Sequence, residues 1–209
     1  LLLPLITVIT EAFKQGTAVY AKAVADDYTV KAIWLTLEAT LLAVLINTVF
    51  GLCAAWSITK FQFKGKKILT TLIDLPVTVS PIIAGLIFLL TCGRQSPLYP
   101  LLQDWDIKIV FAVPGIVLAT IFVTFPFISR ELIPVLEARG NDEEEAAALM
   151  GAKGWTIFRK ITFPHIKWAF LYGVVLCAAR AMGEFGAVSV ISGHLRGKTN
   201  TLPLHLEIL

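Results

Sequence analysis

Charged side chains are scarce in this chain, at 16% of 209 residues, whereas 56% of the residues are hydrophobic. The mean hydropathy is +0.77. Soluble domains have about a quarter charged residues, so the composition excludes an ordinary soluble protein and indicates an integral membrane protein. The net charge is only +3, and the basic residues are separated by apolar segments instead of forming one patch. Nucleic-acid binding is therefore not indicated.

Cysteine and histidine are rare as well. The cysteines Cys53, Cys92 and Cys177 lie in or at the end of hydrophobic stretches without the spacing of paired ligands, so we expect them to pack among apolar side chains. The three histidines are scattered, and no metal site is expected. A phosphate loop of the form GxxxxGKS/T is missing from the sequence, so the chain is not expected to hydrolyse ATP itself. A membrane-embedded enzyme is the least expected class, because no catalytic set of histidines and carboxylates accompanies the buried charges.

Long apolar segments predict four complete membrane spans, at 33–57, 68–92, 109–127 and 170–191. The first ten residues are too short to cross a bilayer, and we interpret them as the end of a truncated helix followed by a polar loop over residues 11–31. Residues 202–209 predict the start of a further helix. The expected fold class is an all-α polytopic membrane protein whose total number of spans stays open.

Basic residues concentrate in two of the connections. Lys60, Lys64, Lys66 and Lys67 follow the first span, and the segment from residue 130 to residue 167 contains a second basic group. The positive-inside rule assigns both connections to the cytoplasmic side. The connection over residues 93–108 contains Asp104 and Asp106 and is then external, as is the basic, glycine-containing connection over residues 192–201.

Several charged, polar and helix-breaking residues lie inside the predicted spans. Glu38 and Asn47 lie in the first span and should face protein or water, because polar groups in hydrocarbon are costly. Asp74, Pro76 and Pro81 interrupt the second span, which is compatible either with lining of a pathway or with simple helix packing.

The last predicted span contains Arg180 and Glu184, which are four residues apart and should pair on one helix face. Two interpretations stay open. The ion pair could fix the packing and be shared with Glu38, or Arg180 could supply positive potential along a path for an anion.

A polar island begins at Asn141 between two strongly hydrophobic segments. Asp142 and Glu145 have the spacing of a capping box, as do Asn141 and Glu144, so we predict that a helix starts here. The alanines that follow favour a helix, and Gly151 should end it in a left-handed conformation.

A second helical piece is predicted after this first one. Gly154 separates the two, and Trp155, Phe158 and Ile161 should lie on one side of the second helix. Pro164 should end it.

The island resembles the EAA loop of the membrane subunits of binding-protein-dependent ABC importers, with the family's spacing and no gap. The matching residues are Glu145, Ala146, Ala147, Gly151, Ile161 and Pro164. The resemblance implies that loop 141–164 is cytoplasmic and that its short coupling helix docks in a cleft of an ATPase subunit. The implied contact residues are Glu145, Ala146, Ala147 and Gly151, with Trp155, Ile161 and Pro164 shaping the loop. The alternative is an ordinary amphipathic cytoplasmic loop.

Residues 178–209 are similar to the sulfate/thiosulfate permeases of this family. Five residues in that segment also resemble the molybdate permeases: Arg180, Gly183, Glu184, Phe185 and Gly186. The run from residue 199 to residue 209 favours sulfate.

The resemblance implies a single permease domain over residues 1–209, of the type I ABC importer kind, in a bacterial inner membrane or a plastid membrane. Its implied partners are a second homologous permease subunit, two cytoplasmic ATPase subunits that bind ATP and Mg²⁺, and an external sulfate-binding protein. The chain itself is expected to be non-catalytic and to bind no cofactor or metal. The alternatives are a molybdate permease and, less favoured, a secondary transporter driven by an ion gradient, which would not need the EAA spacing.

Overall fold

The computed structural model describes residues 2–14, 16–104, 108–195 and 197–208. Over these ranges the regular structure is helical and no strand occurs, which confirms the predicted all-α class. Asp106 and Arg196, in the two predicted external connections, lie outside the described residues.

The N-terminal part of the chain is more helical than its composition indicates. Helix α1 (Leu2–Phe13) is followed by α2 (Thr17–Val24) and by the long α3 (Asp27–Lys60). The prediction of a polar loop over residues 11–31 is therefore wrong. Its alanine-rich sequence favours helix despite the mixed charge, and the Asp26 side chain accepts a hydrogen bond from Tyr28 N at 3.1 Å to begin α3.

The predicted span over residues 68–92 is two helices. Helices α4 (Lys66–Thr78) and α5 (Pro81–Cys92) are bent by 107° relative to each other. The break falls immediately before Pro81, because proline disfavours the helical conformation of the preceding residue; Ser80 is extended, with ψ at 133°. The short α6 (Tyr99–Asp104) follows in the predicted external connection.

Helices α7 (Val113–Thr124) and α8 (Pro126–Arg139) are nearly continuous. The span predicted to end at residue 127 therefore extends well beyond it, and Arg130 lies on a helix instead of in a loop. The Arg130 Nε donates to Asp74 Oδ1 at 2.8 Å, so the two charges link α8 to α4.

The polar island forms α9 (Asp142–Leu149), α10 (Gly154–Ile157) and a π-helical turn (Phe158–Thr162), and α11 (Phe163–Met182) follows without a break. The prediction that Pro164 ends a helix is wrong. Pro164 lies in the first turn of α11, where a proline is tolerated, and the π turn before it, in which Phe163 N donates to Phe158 O, leaves room for the ring.

The predicted span over residues 170–191 is also interrupted. α11 ends at Met182, and α12 (Gly186–Ser192) begins after a short break; α13 (Leu202–Ile208) is the predicted further helix. The break occurs because Glu184 bends back to accept a hydrogen bond from Ala187 N at 2.9 Å, which starts a new helix.

By length and composition, three helical stretches of the described chain could cross a membrane: Asp27–Lys60, Val113–Arg139 and Gly154–Met182. The bent pair α4 and α5 could make a fourth. The four predicted spans therefore correspond to these four regions, with different ends.

The helices pack around α3. A first cluster of buried residues joins α3 to α8 and α11, and includes Ala55, Ile128 and Cys177. At the same depth the fully buried Asn47 donates to Thr124 Oγ1 at 2.8 Å, which confirms that this polar residue faces protein. Gly51 allows the close approach of α3 and α8.

We predict that Gly51→Val destabilises the protein by about 2 kcal/mol, because overpacking a tight helix contact is unfavourable. A Cβ at this position would lie 2.9 Å from the Cβ of Ile128. The matched control is Gly154→Val, since a Cβ there would meet nothing within 4 Å. The measurement is the melting temperature of the purified protein in detergent, and equal melting temperatures for the two variants would contradict the prediction.

Candidate functional site

The coupling segment, residues 141–164, begins with the predicted helix but not with the predicted capping box. Asn141 is the N-cap residue of α9, and its side chain makes no capping hydrogen bond. Its Oδ1 instead accepts from Lys60 Nζ at 2.9 Å, and Glu144 Oε1 lies 3.1 Å from the same nitrogen. Acidic residues occupy the whole first turn of α9, where they interact favourably with the positive end of the helix.

The end of α9 is as predicted. Gly151 has φ at 84°, a left-handed conformation that glycine adopts without strain. Gly151 N donates to Ala148 O at 2.9 Å, and Ala152 N donates to Ala147 O at 3.0 Å. These two bonds form a Schellman motif, which fixes the direction of the chain after the short helix.

The coupling segment exposes several large apolar side chains. Leu149 is 90% exposed, Met150 82% and Trp155 71%. Glu145 and Ala146 are exposed beside them, whereas Ala147 is the one buried described residue of α9. An exposed apolar group beside carboxylates is typical of a surface that another protein covers. Leu149 and Met150 were not among the predicted contact residues, although two apolar residues directly before the helix-ending glycine were a usable signal.

Aromatic rings hold the second half of the coupling segment against α3. Phe158 stacks on Trp155 with ring centroids 5.6 Å apart, which agrees with the predicted common side of these residues. Phe158 also stacks on Trp56 of α3 at 4.8 Å. Ile161 is half-buried next to them, and Pro164 is exposed.

The ion pair between Arg180 and Glu184 forms, with Arg180 Nη1 2.7 Å from Glu184 Oε2. The two residues do not share a helix face, because α11 ends at Met182 and Glu184 lies in the break before α12. The Glu184 side chain is 1% exposed and the Arg180 side chain 34% exposed. Glu184 therefore has two tasks: it neutralises the guanidinium with one oxygen and caps α12 with the other.

Glu38 does not take part in this ion pair, so the interpretation that it shares the pair is wrong. It lies on the exposed side of α3 and pairs with no described residue. The reason is that the Glu38 side chain lies on the exposed side of α3, whereas the Glu184 side chain is only 1% exposed.

The described residues offer no cluster of metal-binding side chains. Within the described ranges, no group of three or more histidine, cysteine or acidic side chains could hold a metal ion. All three cysteines are free; Cys53 is exposed, and Cys177 is buried near Asn47.

A family model described as "Binding-protein-dependent transport system inner membrane component" matches residues 47–197. The chain belongs to this family. It is a non-catalytic permease subunit of an ABC importer, and the matched range contains the coupling segment and the Arg180–Glu184 ion pair.

This permease is 51% identical over 209 residues to the "Sulfate transport system permease protein CysW" of Escherichia coli strain K12, covering 100% of this chain and 72% of that protein. Its fold is similar to that of a bacterial ABC transporter involved in the import of the acidic polysaccharide alginate, with a TM-score of 0.80, 18% identity, and coverage of 99% of this chain and 77% of that one. A second similar structure is that of a bacterial alginate ABC transporter in complex with an alginate-pentasaccharide-bound periplasmic protein. Its TM-score is 0.77 at 20% identity, and the match covers 97% of this chain and 73% of that chain. The fold is that of a type I ABC importer permease.

We predict that Glu184→Gln lowers the melting temperature of the permease by roughly 5 °C, because it leaves the Arg180 guanidinium without its charged partner. The control is Glu38→Gln, since Glu38 is exposed and unpaired among the described residues. The prediction is tested by measuring the melting temperatures of the two variants in detergent with circular dichroism. Equal melting temperatures would mean that the ion pair does not stabilise the fold.

Proposed function

We propose that this permease moves sulfate, and also thiosulfate, across a bacterial inner membrane as part of an ATP-driven importer. The observation that supports this most directly is the 51% identity over the full chain to a protein named as a sulfate transport permease. Arg180, one third exposed and near the break between α11 and α12, is the group that would interact with the dianion.

The proposed partners are those that membership of the ABC importer family implies. Two cytoplasmic ATPase subunits bind ATP and Mg²⁺, and one of them receives α9 in a cleft. Glu145, Ala146 and Gly151 face that cleft, and Trp155, Ile161 and Pro164 shape the loop. Ala147, which was also expected to contact the ATPase, is only 6% exposed and packs inward instead. The exposed apolar residues beside the three exposed carboxylates Asp142, Glu143 and Glu145 support a cleft that is apolar at its base and basic at its rim.

The orientation is supported by a contact between the two connections that are predicted to be cytoplasmic. Lys60 ends α3 directly before the lysine-rich connection, and its Nζ contacts Gly140 O and Asn141 Oδ1, both at 2.9 Å. The lysine-rich connection and the coupling segment, which contains Lys153, Arg159 and Lys160, therefore lie at the same end of the molecule. The positive-inside rule assigns that end to the cytoplasm.

The remaining partners lie within and outside the membrane. A second homologous permease subunit completes the path, with residues 1–209 of this chain acting as one permease domain. An external sulfate-binding protein delivers the anion, as the periplasmic protein bound to the alginate transporter illustrates for a protein of the same fold.

The mechanism is alternating access. ATP binding closes the ATPase dimer, which displaces α9, and the membrane helices rock to open the path towards the external protein. Hydrolysis and release of the products reset the complex. This chain contributes the conduit and the element that responds to the ATPase.

The main test is uptake of labelled sulfate into proteoliposomes that contain the permease with its partner permease, ATPase and binding protein, with and without internal ATP. ATP-dependent uptake that molybdate does not suppress is the expected result. Strong competition by molybdate would instead favour a molybdate permease, and uptake without ATP would favour a secondary transporter.

We predict that Gly151→Trp leaves the fold largely intact but uncouples ATP hydrolysis from sulfate uptake. The left-handed backbone at this position is strained by any side chain, and the space beside it is open, so the indole would stand on the docking surface. Gly16→Trp is the matched control, because Gly16 has φ at 94° and equally open surroundings. ATP hydrolysis and sulfate uptake are measured in the same proteoliposomes; normal coupling in Gly151→Trp would contradict ATPase docking at this site.

We predict that Arg180→Gln reduces sulfate uptake about tenfold in an assembled complex, since it removes positive potential from the path. Arg180→Lys keeps the charge and should restore most of the uptake. Arg130→Gln removes the arginine of a different ion pair and serves as control. Equal uptake in Arg180→Gln and Arg130→Gln would indicate that Arg180 only fixes packing.

A further inference from the structure

Lys60 differs from the other lysines of its region. Its side chain is only 8% exposed, although Lys64 and Lys67, a few residues away, lie on the surface. The ammonium lies 2.9 Å from Gly140 O, 2.9 Å from Asn141 Oδ1 and 3.1 Å from Glu144 Oε1. All three oxygens lie in or immediately before the first turn of α9, so the contacts of this ammonium converge on the start of the coupling segment.

Glu144 extends this contact to a third element. Its Oε1 also accepts a hydrogen bond from Thr162 Oγ1 at 2.7 Å. Thr162 is 3% exposed and is the last residue of the π-helical turn that leads into α11. One carboxylate oxygen thus connects the end of α3, the start of α9 and the start of α11.

Few other contacts hold α9 to the rest of the chain. The exposed Glu143 Oε2 lies 3.4 Å from His165 Nδ1 of α11, and this pair does not involve α3. Ala147 is the one buried residue among those described in α9, so apolar burial contributes little to its position. The stack of Trp56 on Phe158 lies one turn before Lys60 on α3 and contacts the segment after α9 instead. The orientation of α9 relative to α3 therefore depends mainly on the contacts of Lys60 and Glu144.

These contacts are also difficult to separate. A buried ammonium that loses its carboxylate stays desolvated without compensation, so Lys60 and Glu144 should move together instead of apart. A displacement of α9 along the membrane plane would then pull the end of α3 and the start of α11 at the same time.

We propose that Lys60, Glu144 and Thr162 form a transmission junction, through which the displacement of α9 by the ATPase reaches α3 and α11 together. This inference rests on the proposed function and deepens it. The three residues act as positioning residues, and none of them belongs to the exposed surface that would contact the ATPase. The junction is distinct from docking, because it acts after α9 has been captured.

The experiment uses the full complex in proteoliposomes and measures ATP hydrolysed per sulfate transported. In Lys60→Met we expect ATPase activity to persist while sulfate uptake falls about tenfold, so that this ratio rises by the same factor. Lys64→Met is the matched control, since it removes an exposed lysine four residues away. A ratio in Lys60→Met equal to that of Lys64→Met would overturn the proposal.

Two further variants keep the test decisive if Lys60→Met does not assemble. Glu144→Gln and Thr162→Val each weaken one link with little change in shape, and we expect each to raise the ratio about threefold. The charge exchange Lys60→Glu with Glu144→Lys should recover uptake relative to either single change. Wild-type ratios in Glu144→Gln and Thr162→Val would overturn the junction.

A structural measurement separates failure of the junction from failure of the proposed function. Spin labels at Phe61 and Met150, both exposed, report the distance between the end of α3 and the end of α9 in a cysteine-free background. Lys60→Met should broaden this distance distribution, whatever the transported anion is, whereas Lys64→Met should not. An unchanged distribution would contradict the junction even if sulfate uptake depends on ATP.

Discussion

The interior of a bilayer offers no water to a charge or to an unpaired backbone group, and most features of this permease follow from that constraint. Asp74 pairs with Arg130, Glu184 pairs with Arg180, and the amide of Asn47 donates to Thr124. Each of these contacts joins two helices, or a helix and a break, so satisfying a polar group also fixes the packing. The long α3 is central, because its buried face contacts α7, α8 and α11.

Composition and local spacing were enough to predict the all-α class, the four membrane regions and the short helix with its left-handed end at Gly151. These features depend on which side chains are apolar and on single residues with strong backbone preferences. The break before Pro81 was predictable for the same reason. Pro164 was misjudged because a proline at the start of a helix and a proline after its end look alike in sequence, and the π turn that decides between them has no recognisable signature.

The contacts between distant residues could not be predicted. Lys60 and Asn141 are 81 positions apart in sequence, and nothing local distinguishes Lys60 from the three lysines that follow it. The capping-box pattern was misleading because Asn141 and Glu144 are used by this lysine, which offers a charged donor in place of backbone amides. Arg180 and Glu184 were paired correctly from their spacing, yet the break between them depends on the hydrogen bond from Ala187, which spacing alone does not reveal.

The packing of α5 on α12 has a consequence for how the molecule can deform. A Cβ on Gly85 would lie 2.5 Å from Ala187 O, and a Cβ on Gly186 would lie 3.0 Å from the Cβ of Pro81. The two helices are therefore in close contact near their first turns, and each begins just after a break, at residues 79–80 and 183–185 respectively. The breaks lie side by side, and any motion that separated α5 from α12 would have to open this close contact.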